Sequence, residues 1–197
     1  MSNFEYILYV LTVGAWLVNE WRKEKRLKKK IDPKAFESAY NIDGKVYPVL
    51  YHLLMVLKAQ RVYIIQFHNG EHFYSGQSIQ RYSISHEVVR PGASPLRRSY
   101  INIPITFRMH ELIKQLKREG MTSTTLADIN EGDTHLKDFL LLYNSRSSFD
   151  YHITDINQRT IGILSIHFTV DDPMDEVEHL KVEHSINQIR NILTSKP

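Results

Sequence analysis

RVYIIQFHNGEHFYSGQSIQRYSISHEVV, residues Arg61 to Val89, decides how this chain is read. Its first eight residues are apolar at both parities: Val62 and Ile64 fall on one face of a strand, Tyr63, Ile65 and Phe67 on the other. That pattern belongs to an inner strand covered on both sides. Asn69-Gly70 supplies a turn that permits positive φ, and Gly76 a second such point. From Arg81 to Val89 the alternation is clean, with Tyr82, Ile84, His86 and Val88 on one face and Arg81, Ser83, Ser85 and Glu87 on the other. The stretch reads as the first hairpin of a sheet, with one face in the core and the other wet or lining a pocket.

Outward from the hairpin, the chain supplies helices and one more strand pair. Asp32-Pro33 is a helix start that Asp43-Gly44 ends, and Tyr47 to Gln60 is a second helix, apolar around most of its circumference. Arg90 to Ser99 carries two prolines and a glycine and is a loop. Phe107 to Glu119 has Met109, Leu112, Ile113 and Leu116 at helical spacing and stops at Gly120. A shorter helix is expected around Thr134 to Tyr143. Phe149 to Asp155 and Thr160 to Val170 form a hairpin through Asn157 and Gln158. Asp172-Pro173 opens a last helix to Leu193, with Val177, Leu180, His184, Ile189 and Ile192 on one side.

The N-terminal region differs in kind. Phe4 to Trp21 has no charge between Glu5 and Glu20 and is followed by RKEKRLKKK, residues 22–30. As a helix its 18 residues reach about 27 Å, a marginal span of a hydrocarbon core of about 30 Å. The basic run on its C-terminal side predicts a single-pass anchor with the N-terminus out and the rest cytoplasmic. A secretory signal has the opposite charge order and is rejected. The whole chain is at net +3; the basic run holds +6 and residues 1–21 hold −2, which leaves 31–197 at −1. The basic run suits anionic lipid headgroups, and the near-neutral remainder excludes a nucleic-acid groove. There is no cysteine, which removes disulfides and thiolate chemistry. The organisation is thus an anchoring helix over 1–21, a basic stalk over 22–32 and one domain over 33–197.

RVYIIQFHNG at 61–70, RYSISHEVV at 81–89, the helix 107–119 and QRTIGILSIHF at 158–168 together resemble a GAF-type domain, related to PAS sensors. The resemblance covers about residues 33–195. It implies an α+β fold, an antiparallel sheet with helices on both faces, here preceded by a transmembrane helix. The FHNG turn, Phe73 to Gly76 and the HEVV continuation resemble more narrowly a group of small membrane-anchored GAF-like proteins of bacteriophages and some bacteria. The cysteine of bilin-binding GAF domains and the NKFDE set of cyclic-nucleotide phosphodiesterase GAF domains are absent, so neither ligand is implied.

The chemistry-bearing residues favour binding over catalysis. His68, His72 and His86, with Glu71 or Glu87, contain the ingredients of a zinc or iron site, but their spacing matches no metal signature. Ser85 and His86 are adjacent on a strand and point to opposite faces, which argues against a nucleophile–base pair. No metal, catalytic residue or cofactor is assigned. The candidate ligand-binding residues are His68, Asn69, Tyr74, Arg81, Ser83, Ser85 and Glu87, with Arg97 and Arg98 as candidate anion contacts. The expected function is a membrane-tethered, non-catalytic binding module for a small ligand or protein partner, dimeric through helices 47–60 and 173–193. The alternatives are a phage structural or host-takeover factor using the fold as a docking platform, and a metal-dependent hydrolase.

Overall fold

A computed structural model describes residues 18, 20, 33–72, 78–129, 134–171 and 173–195. The expected anchor at 4–21 and stalk at 22–32 lie outside them apart from Val18 and Glu20. Among the described residues no helix is long and apolar enough to cross a membrane. The chain divides into two units, 1–41 and 42–197. The second holds the whole sheet, and the first contributes the opening turns of one helix.

Among the described residues six antiparallel strands make one sheet in the order β3-β2-β1-β6-β5-β4. They are β1 (Arg61–His72), β2 (Ser78–Val89), β3 (Ile103–Pro104), β4 (Met121–Thr125), β5 (Ser147–Thr154) and β6 (Thr160–Phe168). Four helices flank them among the described residues: α1 (Pro33–Val56), α2 (Phe107–Glu119), α3 (Thr134–Leu142) and α4 (Glu176–Thr194). The expected α+β layering is present. On one sheet face Val62, Ile64, Leu164 and Ile166 pack with Leu50, Leu53 and Leu54 of α1 and Val182, Ile186 and Ile189 of α4. On the other, Tyr63, Ile65, Tyr82, Ile84 and Ile163 pack with Leu116 of α2, Phe139 of α3 and Leu96 of the 90–102 loop.

Several expectations need correction. Asp43-Gly44 does not end a helix: α1 runs from Pro33 through Gly44 and Pro48 to Val56. Ile42, Val46, Leu50, Leu53 and Leu57 form one stripe against the core, and burying that stripe outweighs the cost of a mid-helix glycine, about 1 kcal/mol. Nor does Asn69-Gly70 end β1, which continues to His72 and pairs there with Ser78; the hairpin tip with Tyr74 and Gly76 falls outside the described residues. β4 has no counterpart among the expected strands, because MTSTT has no large apolar residue beyond its methionine; it forms by pairing on the edge of β5. The last helix starts at Glu176 rather than at Pro173, since Asp175 and Glu178 form a reciprocal capping box. Its buried side is Val182, Ser185, Ile186 and Ile189, whereas Val177 and Leu180 are exposed.

The correction with most bearing on function lies in β2. Ile64 pairs with His86 but Ile65 with Ile84, so Ser85 is an extra residue in a β-bulge. Paired residues of an antiparallel ladder share a face. Tyr82 and Ile84 therefore lie with Tyr63 and Ile65 on the α2 side, while His86 and Val88 lie with Ile64 and Val62 on the α1 side. The alternation read through RYSISHEVV is broken in its middle.

Candidate functional site

Where α2 and α3 cover the sheet they leave a cleft of about 840 Å³. The strands present two kinds of side chain to it. β1 and β2 contribute Tyr63, Ile65, Tyr82 and Ile84; β4, β5 and β6 contribute Thr122, Thr124, Ser148, Asp150, Ser165 and His167. Tyr100, Phe107, Met109, Leu112 and Phe139 close the other walls, with Arg108 and Glu111 on α2. The polar strip follows from register, because Asp150 pairs with Ser165 and Ser148 with His167. Their chain neighbours Phe149, Tyr151, Leu164 and Ile166 fill the core on the opposite face.

Hydrogen bonds connect this strip to the centre of the sheet. The Ser165 hydroxyl donates to Asp150 Oδ1. The Tyr63 hydroxyl and His167 Nε2 are 2.9 Å apart, and His167 Nδ1 is 3.1 Å from Ser145 Oγ. Burial, with a smaller contribution from the Arg61 charge, brings the His167 pKa down to about 3, so the ring is neutral. Its Nδ1–H then donates to Ser145 and its Nε2 accepts from Tyr63, one self-consistent tautomer. Burial also raises the Tyr63 phenol. Asp150 is the opposite case: burial pushes its carboxyl up to about 6, partly offset by the bond from Ser165. At neutral pH the group is a carboxylate held against its desolvation cost, and a donor reaching it relieves that cost. Arg61 lies behind the strip, fully enclosed, with Nη2 donating to Tyr143 O at 3.2 Å and its guanidinium over the Tyr143 ring.

The candidate residues read from the sequence are placed elsewhere, and none of the described ones lines this cleft. His68 and Asn69 are exposed; His68 Nε2 is 2.9 Å from Ser83 Oγ, and Asn69 Oδ1 accepts from Gln80 at 3.2 Å. Arg81 donates to Asn102 O at 2.6 Å, and Ser83 accepts from Asn102 N at 2.8 Å. His68, Arg81 and Ser83 are thus gathered around Asn102 at the β2 edge, where they hold the loop. Ser85 is the bulge residue, 2.9 Å from His86 Nδ1. Glu87 accepts from the backbone N–H groups of Leu96 and Arg97, both at 2.8 Å, and so pins the 90–102 loop. Of the loop arginines, Arg97 donates to the Tyr47 hydroxyl at 2.8 Å, and Arg98 is exposed. Tyr74 is outside the described residues.

The histidines are also dispersed. His68 pairs with Arg81 and His86 with Ile64, four residues apart along β1. His86 is buried, and its Nε2–H donates to Asp43 of α1 at 2.9 Å. Burial holds its pKa below the ordinary value against the pull of Asp43. Among the described residues no group of three His, Asp or Glu side chains is placed to hold a metal.

The cleft was open to sequence reasoning. Ser148, Asp150 and His152 alternate with Phe149, Tyr151 and Ile153, and Ser165 and His167 alternate with Leu164, Ile166 and Phe168. Two adjacent inner strands with polar residues on one shared face are the signal, and the His-Asn-Gly hairpin is the more conspicuous local pattern.

No family model and no curated protein matches the sequence. Solved structures do, and they define the class: the fold is that of a GAF domain, similar to those of cyanobacterial photoreceptors. One is a far-red cyanobacteriochrome photoreceptor, 15% identical, covering 88% of this chain and 96% of that one with a TM-score of 0.58. Another is a phycoerythrobilin-bound GAF domain from a cyanobacterial phytochrome, 16% identical, covering 82% and 89% with a TM-score of 0.58. A third is the third GAF domain of a Synechocystis protein, 13% identical, covering 77% and 92% with a TM-score of 0.59. At these identities the likeness shows the fold.

Proposed function

We propose that this chain is a membrane-tethered, non-catalytic sensory module that binds a small ligand in the cleft between α2 and the sheet. The observation that carries the reading is the cleft itself, about 840 Å³ in volume, with aromatic and aliphatic walls between a polar strip on the sheet and the polar side chains of Thr106, Arg108, Glu111 and Gln115 on the α2 side. Polar groups set among apolar walls are what orients a small ligand. The solved GAF domain with bound phycoerythrobilin supports a ligand on this fold. A covalent bilin is not proposed, because the chain has no cysteine to carry one. Tethering rests on residues 4–21 and the basic run at 22–30, which would meet anionic headgroups with the domain on the cytoplasmic side. The narrower resemblance keeps a phage or bacterial membrane-anchored protein as the preferred context.

We further propose a homodimer through α1 and α4. Tyr51 and Met55 of α1 and Val177 and Leu180 of α4 are large, apolar and more than half exposed. His52, Val177 and Leu180 also line a shared groove between the two helices.

A thermal-shift screen of small aromatic and heterocyclic compounds on the full chain in detergent tests the ligand reading. Compounds that stabilise the wild type and lose their effect in Leu112→Trp, which fills the cleft from α2, support it. A screen without hits, or hits indifferent to the Trp, count against it.

A further inference from the structure

Resting on the cleft as the ligand site, we propose that it selects a planar nitrogen base, an aromatic amidine or protonated heterocycle whose N–H donors meet the Asp150 carboxylate. Three observations converge on that chemistry. Among the described residues, the charged groups lining the cleft are Asp150 on the sheet and Arg108 and Glu111 on α2, so with His167 neutral the lining sums to −1. The Arg61 guanidinium, on the same sheet face, is enclosed behind the strip against Tyr143 and does not line the cleft, which leaves Asp150 as the charge that a ligand on the sheet meets. An anionic ligand seated on the strip would face that carboxylate at low dielectric.

The second observation is an open acceptor. Ser165 donates to Asp150 Oδ1, and it is the hydrogen bond that the described residues give this carboxylate, which leaves acceptor capacity at Oδ2. The surrounding Ser148, Ser165, Thr122 and Thr124 hydroxyls can each accept a further donor. A carboxylate with a free oxygen beside hydroxyl acceptors is complementary to a group that presents two N–H bonds on one edge.

The third is the shape and electronic character of the walls. Tyr63, Tyr82, Tyr100, Phe107 and Phe139 all face the cleft, with Tyr100 and Phe139 edge to face at 5.9 Å. Aromatic faces suit a flat ligand, and they favour one that carries positive charge. A base bound there replaces lost hydration at Asp150 with a charge-assisted hydrogen bond, whereas a neutral aromatic of equal area leaves the carboxylate dry and unpaired.

Benzamidine, benzamide and benzoate are matched in shape and differ in charge, which makes them the probes. Calorimetric titration of the full chain in detergent is expected to show benzamidine binding at least tenfold more tightly than benzamide, with benzoate undetected. Asp150→Asn should bring benzamidine and benzamide within about twofold of each other, while Glu111→Gln, on the helix side of the cleft, should leave the preference intact. A titration of the isotope-labelled wild type needs no variant and should move the amide resonances of Ser148 to Asp150 and Leu164 to Ile166. Benzoate binding as well as benzamidine, or a preference that survives Asp150→Asn and vanishes in Glu111→Gln, overturns the proposal. If benzamide and indole bind as tightly as benzamidine and Leu112→Trp abolishes all three, the cleft stands as a ligand site and the selectivity for a base falls. If no aromatic compound binds, both readings fall together.

Discussion

Asp150 and His167 lie on the same face of neighbouring strands, and burial moves their pKa values in opposite directions. Asp150 rises from 3.8 to about 6, so the folded protein takes up a proton that the unfolded chain has released. Its contribution to stability is complete below the ordinary carboxylate value and lost as pH rises through about 6. His167 falls from 6.5 to about 3. Its contribution is complete above 6.5 and lost as pH falls toward 3. Between pH 4 and 6 the two slopes oppose each other, each approaching about 1.4 kcal/mol per pH unit, so the pair together contributes a nearly flat profile. Relative to the wild type, the unfolding free energy of Asp150→Asn from urea titrations should fall by about 1 kcal/mol per unit as pH drops from 6 to 4. That of His167→Gln should rise relative to the wild type over the same interval. Parallel profiles for all three proteins would show that the two groups are not buried as described. Neither shift was legible beforehand, because Asp150 and His167 sit 17 positions apart in the sequence and only the strand register places both under α2.

The strands show where local pattern suffices and where it does not. Gly162 in TIGILSIHF was legible as the mark of a closing strand, and the reason is close approach: a Cβ on Gly162 would stand 2.6 Å from the Ile65 carbonyl oxygen of β1. That contact is backbone and cannot swing aside. Gly162→Ala is expected to cost about 1–3 kcal/mol, read from the urea midpoint at unchanged m; a change under about 0.5 kcal/mol, the range of ordinary surface substitutions, would mean that β1 and β6 are further apart. The bulge at Ser85 sits two residues before Glu87, in a run whose alternation looks perfect. A bulge is a property of a pair of strands, and β2 alone carries no sign of the slip against Ile64 and Ile65. The misassigned faces followed from it: Arg81 and Ser83 share a face with His68, while Glu87 lies with Tyr63 on the other. Helix α1 is similar: Asp43-Gly44 is a sound local stop signal, overruled by the stripe from Ile42 to Leu57 that only the assembled core rewards.

The GAF fold was legible in outline because its inner strands and its glycine stop after α2 are local features. The cleft was not singled out, although the polar alternation in β5 and β6 marked its floor, because its walls bring β1, β2, β4, β5 and β6 together with helices from the middle of the chain. Across the molecule the proposals give separate surfaces separate tasks: the α2 side to a ligand, and the α1 and α4 side to a second copy. For the latter, light scattering on the full chain in detergent should give a dimer that Leu180→Glu converts to monomer without loss of helical signal, and a monodisperse wild-type monomer would remove that surface from consideration. The ligand surface has the more direct test. Amide and methyl resonances of the labelled full chain are followed as the strongest stabilising compound is added. Shifts are expected at Tyr63, Ile84, Leu112, Asp150 and Ser165, with His68, Asn69, Arg81 and Ser83 unmoved. Shifts confined to those four residues of the hairpin would contradict a ligand site under α2.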